Sequence, residues 1–108
     1  MSILVLTNSL SSPLVEKIFN LGFLPQVAEH MDKMVEGLQH QTVSVVFVDT
    51  KHLKLDLLES LVTIHDETTH IPIYVWGPLT DGAVTEFIKN HGNVYAFDEL
   101  EEVKHIIA

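Results

Sequence analysis

The chain has 108 residues, 46% hydrophobic and 19% charged, which suits one domain with its own core and is too short for two. Fifteen acidic residues face six basic ones, for a formal net charge of −9, and every base is lysine; this argues against a surface that tracks phosphates or reads bases through arginine forks. The absence of cysteine removes disulfides, thiolate metal sites and thiol nucleophiles.

The chain begins with Ile3–Leu6, a β-branched apolar run of strand length. A helix follows, with Ser12 as N-cap, Pro13 at its first position, a Leu14, Ile18, Leu21 stripe and Gly22 as terminator. Leu24–Ala28 reads as a second strand, and from about His30 to His40 the residues Met31, Met34, Val35 and Leu38 recur at helical spacing. Val43–Val48 is the third strand. The helix after it, about Leu53 to His65, turns Leu57, Leu58, Leu61 and Ile64 inward. Ile71–Trp76 is the fourth strand, followed by a helix that starts near Thr80 or Asp81, carries Val84, Phe87 and Ile88, and stops at Gly92. Val94–Phe97 is the fifth strand. Asp98-Glu99-Leu100-Glu101 then forms a capping pattern, with Asp98 as N-cap, before a helix bearing Val103, Ile106 and Ile107.

No apolar stretch approaches the roughly 20 residues of a membrane helix, and no basic-then-apolar leader opens the chain. The expectation is a single soluble, cytoplasmic domain over residues 1–108, with no membrane or nucleic-acid partner. Five continuous apolar strands alternating with five helices imply a parallel sheet covered on both faces, a doubly wound α/β sandwich of flavodoxin-like type. Chemistry in such sheets gathers beyond the carboxyl ends of the strands, here Thr7-Asn8, Asp49-Thr50-Lys51, Gly77-Pro78 and Asp98-Glu99.

Over essentially its whole length the sequence resembles the receiver domains of bacterial two-component response regulators, which are CheY-like. Ile3-Leu4-Val5-Leu6 is similar to their first strand, and Leu21-Gly22-Phe23 with Ala28 to the turn into the second. Val45-Val46-Phe47-Val48-Asp49 ends where the phosphoacceptor aspartate sits, and Ile71-Pro72-Ile73-Tyr74-Val75 is similar to the fourth strand. The resemblance implies strand order 2-1-3-4-5 and a site of five parts, of which only Asp49 is kept. The magnesium-holding acidic pair falls on Thr7 and Asn8, the hydroxyl after the fourth strand on Gly77, and the lysine after the fifth on Asp98. The proline after that lysine falls on Glu99, so the Asp98–Glu99 peptide is expected to be trans.

A phosphoryl group brings close to two negative charges, which the family neutralises with magnesium and lysine. Without them the chain reads as a degenerate pseudo-receiver, with neither metal nor cofactor and no enzymatic activity, acting by protein–protein contact. Lys51, two residues beyond Asp49, is expected to place its ammonium in the vacated cation position and pair with Asp49 or Asp98. The resemblance also implies a contact face over helix 4, strand 5 and helix 5, for a signalling partner or a second copy. Tyr95 takes the place of the family's switch aromatic there, with Glu86, Lys89, Glu99, Glu102 and Lys104 as its rim. The alternatives are an atypical receiver phosphorylated on Asp49 and a flavodoxin-like small-ligand binder at the strand ends.

Other constellations have plain structural readings. The seven histidines contain no His-x-x-x-His pair, and His65, Asp66, Glu67 and His70 read as a solvated loop. Ser9, Ser11 and Ser12 read as capping residues, and the five glycines form no phosphate loop.

Overall fold

The structure, a computed structural model, describes all 108 residues. Five parallel strands form one sheet in the order β2-β1-β3-β4-β5: β1 (Ile3–Leu6), β2 (Gln26–Ala28), β3 (Val45–Asp49), β4 (Ile73–Trp76) and β5 (Val94–Phe97). Helices α1 (Pro13–Asn20), α2 (Met31–His40), α3 (Leu57–Glu67), α4 (Gly82–Asn90) and α5 (Val103–Ile106) connect and follow them. This is the doubly wound, flavodoxin-like sandwich expected, in the 2-1-3-4-5 order implied by the resemblance.

The apolar runs are continuous because each strand serves two cores. Along β1, Leu4 and Leu6 enter one core with Met34, Leu61, Ile64 and Val84 from α2, α3 and α4. Ile3 and Val5 enter the other, with Leu14, Ile18, Val103 and Ile107 from α1 and the C-terminal segment. Alternation by two along a strand thus becomes burial on both faces, and all four residues of β1 are buried. Helix α2 lies close on the sheet because residue 37 is glycine. A Cβ there would stand 3.1 Å from Leu4 Cδ1, inside ordinary contact distance.

The termini of the elements follow local chemistry. Ser12 caps α1, accepting from the Leu14 N–H, and Pro13 occupies the first turn, as the sequence predicts. Asp56 and Asp81 cap α3 and α4 by accepting from the Glu59 and Ala83 N–H groups. Several boundaries differ from expectation: β3 spans Val45–Asp49 rather than Val43–Val48, and β4 starts at Ile73 rather than Ile71. Strand β2 starts at Gln26 rather than Leu24, because Leu24 is 82% exposed and Pro25 has no N–H for a ladder. Helix α3 starts at Leu57 rather than near Leu53, behind a 3-10 turn over Thr50–His52. The last helix opens as a 3-10 turn over Leu100–Glu102 whose N-cap is Glu99, not Asp98. The Glu99 N–H donates to Glu102 Oε2, and the Asp98 side chain is exposed. His65, Asp66 and Glu67 lie in the last turn of α3 rather than in a loop, and His70 follows in the exposed connection to β4. No helix is long and apolar enough to cross a membrane.

Candidate functional site

The last residue of β3 brings a carboxylate to the carboxyl edge of the sheet, and Asp49 is 0% exposed there. A buried carboxylate is tolerated only when its oxygens are well supplied with donors, and four reach it. Ser12 Oγ donates to Asp49 Oδ2 at 2.6 Å and Thr7 Oγ1 to the same oxygen at 3.1 Å. His52 Nδ1 lies 2.9 Å from Oδ2, and the Lys51 backbone N–H donates to Oδ1 at 3.1 Å. Each hydroxyl has its direction fixed from behind. Ser12 Oγ accepts from the Leu14 N–H and Thr7 Oγ1 from the Ser9 N–H, so both hydroxyl protons are left for Asp49. An ionised carboxylate only accepts, so His52 Nδ1 carries the proton in its pair with Asp49.

Thr7 therefore stands against Asp49, as its position in the sequence suggests, but Asn8 does not. The Asn8 amide donates to the Glu29 carbonyl at 2.9 Å and accepts from the Lys54 N–H at 2.8 Å. Its own N–H donates to the His52 carbonyl. Asn8 thus stitches the β1–α1 turn to the end of β2 and to the segment after β3. The Lys51 ammonium does not fill a cation position beside Asp49. It lies 4.4 Å from the centroid of the Trp76 ring and forms no ion pair, a cation–π contact that keeps the charge near solvent instead of burying it. Trp76 is in turn held by its indole N–H, which donates to the Asp98 carbonyl at 3.0 Å. Asp98 thus meets this region through its backbone while its side chain stays exposed, and no peptide bond in the chain is cis.

Gly77 has φ +124°, a conformation that favours glycine, and a Cβ added there would overlap Thr50 Oγ1. That hydroxyl is committed, donating to the Trp76 carbonyl at 2.8 Å. Thr50 thus occupies the space that a side chain on residue 77 would need.

The residues around Asp49 do not fit a magnesium site. The ion prefers several oxygens in octahedral array, usually with one or two carboxylates. Here one carboxylate is present and both its oxygens already accept from the protein, while no group of three or more His, Asp or Glu side chains is placed to hold a metal. The nearby cavity lined by Thr50, Asp56, Leu57, Pro78, Leu79 and Asp81 has about 220 Å³, below the roughly 300–1,000 Å³ of small-molecule sites.

Two residues of the site, Ser12 and His52, carry no sequence motif that assigns them to it, while Thr50 enters only as part of the β3 end. Ser12 had a sufficient role as a helix cap, and its second role depends on a contact across 37 positions. His52 lies three residues after Asp49, a spacing that the 3-10 turn converts into contact; that spacing was the available signal.

At the far edge of the sheet, Tyr95 is 44% exposed and stacks on Tyr74, with ring centroids 5.0 Å apart. Burial, and after it the Tyr95 phenol, raises the Tyr74 phenol above the ordinary tyrosine range. Glu86, Lys89, Glu99, Glu102 and Lys104 are all exposed.

No protein-family model and no curated protein matches the sequence. The likeness is in the fold, which is that of CheY-like receiver domains. The chain is similar to a response regulator receiver domain protein from Methanospirillum hungatei (TM-score 0.78, 12% identity), covering 98% of this chain and 89% of that one. It is similar to the chemotaxis response regulator CheY4 of Vibrio cholerae (TM-score 0.74, 13% identity, 99% and 98% covered). It is also similar to the receiver domain of NtrC4 from Aquifex aeolicus (TM-score 0.71, 20% identity, 97% and 95% covered).

Proposed function

We propose that this chain is a receiver-like signalling module that acts through protein–protein contacts and does not use aspartyl phosphorylation. The response-regulator character of its structural neighbours supports the signalling part of this reading. The observation that carries the rest is the engagement of Asp49: a fully buried carboxylate with three protein partners on Oδ2 and one on Oδ1. Phosphorylation there would require one oxygen to attack, a metal to replace the lost donors and a cation to meet the incoming charge. Each hydrogen bond surrendered to the carboxylate would cost about 1.5–3 kcal/mol. Gly77 and Asp98 supply neither a hydroxyl nor a cation in return.

In this reading the contact surface is the edge of β5 with α4 and the C-terminal segment. Tyr95 is its exposed aromatic centre, and Glu86, Lys89, Glu99, Glu102 and Lys104 form a mainly acidic rim. The partner is a protein with a complementary basic face, and a second copy is the competing occupant.

The test is incubation with magnesium and acetyl phosphate, followed by intact-mass analysis with and without hydroxylamine, which cleaves acyl phosphates. No hydroxylamine-labile phosphoryl group on Asp49 is expected. Its appearance, and its loss in Asp49→Asn, would overturn the reading.

A further inference from the structure

We propose that His52 is a phosphoryl acceptor at the mouth of this site, reacting through Nε2 with small donors that carry a good leaving group. Its Nδ1 is bound to buried Asp49 at 2.9 Å, which fixes the ring orientation and keeps the proton on Nδ1. That leaves the Nε2 lone pair free in the neutral ring. The carboxylate of a Ser-His-Asp triad acts in the same way, holding the tautomer and stabilising the imidazolium that forms. The outer side of the ring is open. The His52 side chain is 38% exposed, and Nε2 has no hydrogen-bond partner yet is not among the buried unpartnered atoms, so it faces solvent.

Lys51 and Lys54 flank His52 in the chain, are exposed and take no part in any ion pair, with the Lys51 ammonium resting over Trp76. A phosphoryl group on Nε2 would remain hydrated on the solvent-facing side of the ring. It would not have to enter the buried pocket, so the inference is compatible with an unphosphorylated Asp49 and does not depend on it.

With phosphoramidate as donor, the Nε2 lone pair attacks phosphorus. The Nε2–P bond forms as the P–N bond of the donor breaks, and the departing amine takes a proton from water and leaves as ammonia. Nothing is oxidised or reduced. The ring becomes a cation that keeps its Nδ1 proton, and the Asp49 carboxylate faces that charge directly. Asp49 is a positioning residue in this step.

The experiment treats the full chain with phosphoramidate without magnesium and follows site occupancy by peptide mass spectrometry. The exposed His30, His40, His70 and His105, whose rings make no hydrogen bond to a carboxylate, serve as internal references. The expected result is an acid-labile, hydroxylamine-stable phosphoryl group that accumulates on His52 about tenfold or more faster than on those four. It is absent in His52→Gln, and in folded Asp49→Asn the labelling of His52 falls to the reference rate. Labelling of His52 at the same rate as the exposed histidines, or none, overturns the proposal. A hydroxylamine-labile group on Asp49 would instead overturn the preceding reading.

Discussion

At the scale of single residues, the buried Asp49 carboxylate is held by a hydroxyl that also serves a helix, and Ser12 shows how. Its hydroxyl accepts from the first turn of α1 and donates to Asp49 at 2.6 Å, so one atom closes a helix and stabilises a buried carboxylate. Ser12→Ala removes both and leaves Asp49 one donor short. The expected loss is about 2–4 kcal/mol, a cap and a charge-assisted hydrogen bond together, read as a lower urea midpoint. A change below about 0.5 kcal/mol would show that the Ser12–Asp49 contact contributes little. Gly77 carries a second prediction. Gly77→Ala places a Cβ on top of Thr50 Oγ1 in a backbone region unsuited to side chains, and should cost about 2 kcal/mol or more. Adding Thr50→Ala should recover part of that loss by removing the overlap while the backbone strain remains. Strict additivity of the two substitutions would contradict the packing described.

At the scale of elements, the C-terminal segment is held by electrostatics as well as by Val103 and Ile107 in the core. Lys17 of α1 donates to Glu101 at 2.9 Å, and this hydrogen bond, then the charge of Lys17, lowers the Glu101 carboxyl below its ordinary range. As pH falls, the unfolded chain takes up this proton before the folded one does. The contribution of Glu101 is therefore present above the unfolded value and disappears as pH falls through the folded value. The urea midpoints of the protein and of Glu101→Gln should differ most near neutral pH and converge in acid. A difference that does not change with pH would remove this tie between α1 and the C-terminal segment.

The sequence was most legible where an element has one dominant cause. β1 and β5 have the predicted ends, since continuous apolar runs in a doubly covered sheet leave little choice. Ser12-Pro13 marked the start of α1 because cap and first-turn chemistry coincide there. Legibility failed where a tertiary contact competes with a local pattern. Leu53 stands four residues before Leu57, a helical spacing, yet the segment is pinned as a turn and loop by Asn8, which takes the Lys54 N–H, and α3 waits for Asp56 to cap it. The same holds in the site. Asp49 and Thr7 were readable from their strand ends, whereas the roles of Ser12 and Asn8 depend on partners that only the folded sheet brings near. Lys51 departs from the expected cation position for an energetic reason: its long side chain finds the face of Trp76 without burying its charge.

At the scale of the whole molecule, a net charge of −9 on 108 residues opposes compactness, and few lysines are available to offset it. Moderate sodium chloride should therefore raise the urea midpoint by screening this repulsion. A fall would mean that the few ion pairs outweigh the self-repulsion. The same acidity opposes association with a nucleic acid.

The proposed role of Asp49 requires that both its oxygens be engaged by the protein. A magnesium titration followed through the backbone amides of Thr7, Ser12, Asp49 and Lys51 tests it most directly. No saturable shift is expected at these four residues up to millimolar concentrations. A saturable, site-specific shift, abolished in Asp49→Asn, would contradict it.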